Sequence, residues 1–283
     1  LVSFDDEDEN DDEDELMNIP DQLWFAIAVA IYAAGFVHAV FLLQKGKIGG
    51  VGALPVVAVG YLFHNIFLIQ RAIAIQHCPI TNAFELLAFS TWAIIGIYLV
   101  VKFFFRVRFV SVFILPPVIA IGIAALLLPA DAVKPENIGS GVYFGMHVAV
   151  MMLAYGAFAL SGAAGAMYLL QERHLKTRQL GNVFRQLPSI EKLDRVNLIL
   201  LIVGFALLTV GIGAGCLWNR SLNSLLDVSD PRILASSILW FVYAALLASR
   251  WLLAFRGRKI ALVSVISSIL VLITLGLTHV KPN

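Results

Sequence analysis

The chain has 283 residues, of which 60% are hydrophobic and only 14% charged, and its mean hydropathy is +0.87. Soluble domains carry about 25% charged residues, so this composition excludes an ordinary soluble enzyme. The formal net charge of +1 hides a division: ten of the 19 acidic residues stand among the first sixteen, leaving nine against 20 lysines and arginines in the remainder.

The opening LVSFDDEDENDDEDEL (1–16) has nothing to bury. It reads as an acidic disordered leader, or as a misassigned start with Met17 the true first residue, and either way it stands apart from the fold. Residues 17–283 read as a single polytopic membrane domain. A bilayer core of about 30 Å takes about 20 apolar residues per helical span. Stretches near 23–44, 52–73, 82–104, 109–129, 142–170, 197–217, 232–255 and 260–280 meet or approach that length. Period-two alternation is missing, which argues against a transmembrane barrel. The expectation is an all-α integral membrane protein with about eight transmembrane helices.

Charge placement sets the orientation. The segments after spans 1, 3, 5 and 7 hold fifteen lysines and arginines, among them Lys45, Arg106, Arg173 and Arg250, and the other side holds five: Arg71, Lys134, Arg220, Arg232 and Lys281. The positive-inside rule then puts both termini outside and a large loop, 171–196, in the cytoplasm. With that orientation His147 lies near the outer start of span 5 and His279 at the outer end of span 8. Helices of opposite direction deliver the two imidazoles to one surface, as a metal centre with two axial ligands requires. A histidine at a helix end also fits a half-solvated place among headgroups, and these residues alone leave both readings open.

Other residues have plainer roles. Asn82 and Glu85, after Cys78-Pro79, fit a capping box at the start of span 3, with Thr81 sharing the capping and the carboxylate near water. Cys78 and Cys216 both fall near outer helix ends, which allows a disulfide, although small apolar filling is the simpler reading. LSGAAGAM (160–167) reads as close helix packing. His38, His77 and His174 read as structural or solvated. No phosphate loop, partnered nucleophile or zinc-type cluster occurs, and the basic residues follow topology, so nucleic acid is not a partner.

Several segments together resemble the cytochrome c assembly family of CcsA/CcmC-type membrane haem-handling proteins. HCPITNAFELLAFSTWAIIGIYLVVKF (77–103) is similar to the opening of that family's third helix, and MHVAVMMLAYGAFALSGAAGAMYLLQERHLK (146–176) to its MHV helix. LPSIEKLDRVNLILLIVGFALLTVGIGAGCLW (187–218) and WFVYAALLASRWLLAFRGRKIALVSVISSILVLITLGLTH (240–279) resemble its cytoplasmic loop with the sixth helix and its last two helices. The order and spacing hold over most of residues 60–280, and the HemX/YpjD-like branch is the nearest in pattern.

The resemblance implies a haem (haem b) on the outer face with His147 and His279 as axial ligands, and His64 on span 2 as a mid-membrane histidine on the haem's path, a costly place for an unpaired ionisable group. Trp218 is the remnant of the family's outer aromatic segment, and Arg71 and Arg220 are candidates to pair with the propionates. Two departures stand out. The tryptophan-rich WGxxWxWDPKE segment is replaced by CLWNRSLNSLLDVSDPRI (216–233), and Ala248 falls where a second membrane histidine is expected.

The function implied is that of a haem chaperone or transporter rather than an enzyme, in the inner (plasma) membrane. It would present haem for c-type cytochrome biogenesis, with membrane lipid, an apocytochrome c or another cytochrome c maturation subunit as partners. The alternative is a HemX-like regulator of haem biosynthesis acting on glutamyl-tRNA reductase through the 171–196 loop, with little or no haem transfer. A third class is a transporter that uses protonatable histidines and no haem.

Overall fold

A computed structural model of the chain describes residues 21–45, 52–76, 78–105, 110–130, 141–177, 188–221, 231–252 and 257–279. Within the helices, the side chains of Asp21, Pro231, Arg232 and residues 272–279 are outside the description. The acidic leader, Met17, His77, Lys134 and Lys281 fall outside the described residues, as do residues 222–230 after Ser221.

Eight helices are described: α1 (Asp21–Gln44), α2 (Leu54–Ile75), α3 (Ala83–Phe105), α4 (Val110–Leu126), α5 (Val142–Thr177), α6 (Ile190–Ser221), α7 (Pro231–Leu252) and α8 (Arg258–His279). An apolar chain in hydrocarbon must satisfy its own backbone polar groups, and a helix does so within one segment. Among the described residues α1, α2, α3, α5, α6 and α7 are long and apolar enough to cross a membrane. The fourth apolar stretch forms a shorter helix of 17 residues, with Pro116 and Pro117 inside it.

The structure redraws one expected boundary. The 171–196 region is not one loop, because α5 continues to Thr177 and α6 already begins at Ile190. At 36 and 32 residues these helices rise about 54 and 48 Å, well beyond the hydrocarbon thickness. Charged side chains sustain the extensions. Lys176 Nζ donates to Glu172 Oε1 at 2.7 Å one turn away, and Arg250 at the end of α7 forks onto both carboxylate oxygens of Asp194 at 2.9 and 2.6 Å.

Helix α5 is the hub. It packs on α3, α6 and α8, while α1 packs on α2 and α4 in the N-terminal half. The small residues of 160–167 do the work expected of them: a Cβ added at Gly165 would stand 2.7 Å from the Ala261 carbonyl oxygen of α8, so only glycine permits that approach. Beside this seam Ser161 Oγ donates to Asn197 Oδ1 at 2.6 Å, and Asn197 Nδ2 donates to Ser264 Oγ at 3.2 Å. These bonds link α5, α6 and α8 through groups that hydrocarbon leaves no other partner.

The α2–α3 connection closes on a buried ion pair. Asn82 Oδ1 accepts from the Glu85 backbone N–H at 2.8 Å, as a cap should. Glu85, however, is not near water; it is 0% exposed. Its Oε2 accepts from the Thr81 N–H at 2.6 Å and the Thr81 hydroxyl at 2.7 Å, and its Oε1 accepts from Arg71 Nε at 2.6 Å. The Arg71 guanidinium also donates to the Ala130 carbonyl beyond α4. One buried carboxylate thus ties together the ends of α2, α3 and α4. Both cysteines are free, Cys78 half-buried and Cys216 exposed, so no disulfide joins them. Burial first, and the Glu85 charge second, push the Cys78 thiol up to about 11.

Removing one partner of a buried pair leaves an uncompensated charge and costs about 3–5 kcal/mol. Glu85→Ala is expected to lower the unfolding midpoint in detergent markedly, with the Arg71→Leu, Glu85→Leu double variant recovering most of it; a thermal melt of the three proteins checks this. The raised Cys78 pKa keeps the thiol protonated through neutral pH, and only the thiolate reacts. Alkylation by N-ethylmaleimide at pH 7.5 is expected to modify Cys216 well before Cys78, with Cys78 reacting faster as pH rises toward 11, read by peptide mass spectrometry.

Candidate functional site

The first turns of α5 and the last turns of α6 build one small site. Phe144 and His147 are three residues apart on α5, and Gly211, Gly215 and Trp218 follow the i, i+4, i+7 spacing of one helical face on α6. His147 Nδ1 is hydrogen-bonded to the Gly211 carbonyl oxygen at 2.7 Å. A carbonyl only accepts, so Nδ1 carries the proton, and the neutral ring then holds its lone pair on Nε2. Among the described residues no hydrogen-bond partner meets Nε2 of this half-buried ring.

Phe144, one turn before His147, and Trp218, one turn after Gly215, form a tilted ring pair with centroids 4.9 Å apart at 52°. The Trp218 indole Nε1 is buried and meets no hydrogen-bond partner among the described residues. An orphaned indole donor, a histidine with one ring nitrogen engaged by α6 and two aromatic rings, all on adjoining turns of α5 and α6, suit a large, flat, partly polar ligand. A haem, the group implied by the family resemblance, would be held there by His147, with Phe144 and Trp218 on the adjoining turns. Among the described residues no group of three or more His, Cys, Asp or Glu could hold a metal ion, but a haem iron asks the protein only for axial ligands.

The remaining site residues are distributed as follows. His279 is the last residue of α8, and its side chain lies outside the description. Its helix does run toward the same end of the molecule. Val271 of α8 shares an apolar cluster with Met151 of α5, and His279 lies eight residues beyond the one while His147 lies four before the other. At 1.5 Å per residue these are rises of about 12 and 6 Å toward the same end. Arg220 is exposed in the last turn of α6. Standing two residues past Trp218, it is about 200° round the helix, away from the face that meets His147. Arg71 is committed to Glu85 and Ala130 within the buried clamp.

His64 is not brought to His147. It sits in the middle of α2 with 0% exposure, with Phe25, Phe67 and Tyr32 around it at centroid distances of 5.1, 6.1 and 6.1 Å. Its Nδ1 shares a hydrogen bond with the Tyr32 hydroxyl at 3.2 Å, and Nε2 meets no hydrogen-bond partner among the described residues. Caged this closely, the ring has no face open to a macrocycle in this conformation. Ala248 is exposed on α7 and supplies no counterpart. Phe144, Gly211 and Gly215 were not evident as site residues from the sequence, although the helical spacing of 211, 215 and 218 carried the signal.

The comparisons follow the same segments. Residues 80–281, more than half of the chain, match the family described as cytochrome C assembly protein. Protein HemX of Brevibacillus brevis is 28% identical over 260 residues, covering 90% of this chain and 94% of the relative. Cytochrome c biogenesis protein CcsA of Gloeobacter violaceus is 26% identical over 305 residues, covering 88% of each. A second CcsA, from Prochlorococcus marinus, is 29% identical over 235 residues, covering 75% of each. HemX and CcsA relatives therefore stand at similar identity and do not separate the two branches. With its long apolar helices and a family match that runs through the α5–α6 site, the chain is a multi-pass membrane protein that belongs to the cytochrome C assembly protein family.

Proposed function

We propose that this is an inner-membrane haem-binding protein that takes part in c-type cytochrome biogenesis by presenting haem on the outer face of the membrane. All eight helices span the bilayer in this reading, with both termini outside. His147 and His279 would hold the haem iron. Phe144 and Trp218 would lie beside it, standing in for the tryptophan-rich segment this chain lacks, whereas Arg220 and Arg71 are not directed at it. His64 belongs to the haem's path across the membrane, and its closed cage requires α1 and α2 to part before a macrocycle reaches it. When bound, haem supplies the iron that these imidazoles ligate. The protein's own work is to bind it, orient it and keep one edge accessible to an apocytochrome c or a partner maturation subunit.

The observation that carries this reading is the hydrogen bond from His147 Nδ1 to the Gly211 carbonyl. It leaves Nε2 as the nitrogen not engaged by α6, as second-sphere partners do for ligating histidines. The near full-length HemX relative and the loss of both the aromatic segment and the histidine at Ala248 favour a second reading, a regulator of haem biosynthesis acting on glutamyl-tRNA reductase. Its partner surface would be the charged ends of α5 and α6.

Purified protein reconstituted with hemin is expected to give a six-coordinate bis-histidine absorption spectrum, weakened in His147→Ala and in His279→Ala and lost in the double variant. Unchanged hemin retention in all three removes the site. Affinity capture through the 171–196 region separates the two readings: recovery of an apocytochrome c or a maturation subunit supports assembly, and recovery of glutamyl-tRNA reductase supports regulation.

A further inference from the structure

The contact between His147 and α6 is built with unusual economy, and it depends on which glycines stand where. The Gly211 carbonyl belongs to a helix interior, yet it accepts the His147 Nδ1 proton at 2.7 Å. For the imidazole to come that close, the helical surface one turn further on must be bare. It is: a Cβ at Gly215 would stand 2.8 Å from Nδ1 and 3.0 Å from Cε1 of His147. At Gly211 itself a Cβ would stand 2.7 Å from Met151 Sδ, one turn along α5 from the histidine. Gly213, between them, meets nothing within 4 Å. Two of the three glycines in GIGAG therefore face α5, and each answers to a different α5 side chain.

We infer that the Gly211–Gly215 face of α6 positions His147, fixing its tautomer so that Nδ1 is held by α6 and Nε2 is the nitrogen left for a ligand. Gly211 supplies the acceptor, and Gly215 supplies the space through which the ring reaches it. Gly215 is a positioning residue, since it touches the imidazole and not the ligand. The inference rests on the haem reading only for its purpose; the tautomer itself is a property of the protein without haem. An unfixed imidazole would divide between two tautomers, one of which carries its proton on the nitrogen needed for the iron.

The test uses full-length protein in detergent, labelled with 15N-histidine and without hemin, with the His147 signals identified by their loss in His147→Gln. The wild-type ring is expected to show a protonated Nδ1 and an unprotonated Nε2. Gly215→Ala is expected to give mixed tautomers, while Gly213→Ala matches the wild type. After hemin is added, Gly215→Ala should retain it about 10–100-fold less tightly, the usual effect of losing a second-sphere partner, and free imidazole should restore its six-coordinate spectrum. An Nε2-protonated ring in the wild type overturns the inference, as does Gly215→Ala behaving like Gly213→Ala. Should Gly215→Ala fail to fold, the wild-type ring assignment alone decides. A protein with the Nδ1–H tautomer that binds no hemin upholds this inference and removes the haem reading; hemin binding to a protein whose free ring is protonated at Nε2 does the reverse.

Discussion

In hydrocarbon a polar group finds no water, so each one inside the bundle needs a partner from the protein. That constraint organises what is described of this molecule. Glu85 is fully enclosed because Arg71 and Thr81 meet both of its oxygens. Asn197 sits between α5, α6 and α8 because Ser161 and Ser264 meet its amide from either side. Beyond the apolar stretch, Arg250 reaches back to Asp194 with both guanidinium branches. Each partner comes from another helix or from the turn before it, so satisfying polarity and fixing the arrangement of helices are the same act.

The satisfaction is not complete: among the described residues Trp24 Nε1, His64 Nε2, Gln171 Oε1, Trp218 Nε1 and Tyr243 Oη are buried without a hydrogen-bond partner. Trp218 lies in the small α5–α6 site and borders Phe144; His64 is shut inside an aromatic cage in the middle of α2. The two histidines thus stand in contrasting states. His147 is half-buried and has one nitrogen engaged and one available, whereas His64 requires a rearrangement of α1 against α2 before it meets anything large.

Much of the fold was legible in the sequence, because each apolar stretch of roughly the bilayer thickness became a helix and the Gly/Ala run in α5 became a close contact with α8. Boundaries beyond the apolar stretch were not. The charged turns of α5 and α6 look like a loop by hydropathy, and they are helical because Glu172–Lys176 and Asp194–Arg250 pairs support them. The candidate site was half legible. His147 announced itself as an imidazole at a helix mouth, and Trp218 as the remnant of an aromatic segment. Arg71 and Glu85 were read singly, one as a propionate partner and the other as a cap near water, since a fourteen-residue separation across a turn gives no sign that the two will pair. Gly211 and Gly215 stayed hidden because a glycine's role depends on the neighbour it admits, which only the packed structure supplies.

The most direct test of the account is a cryo-electron microscopy map of the hemin-loaded protein. The account predicts a macrocycle at the outer ends of α5, α6 and α8, with iron density joined to His147 Nε2 and to His279, and with Phe144 and Trp218 against its face. Haem density elsewhere, with His147 still bonded to Gly211 and nothing at its Nε2, would contradict it.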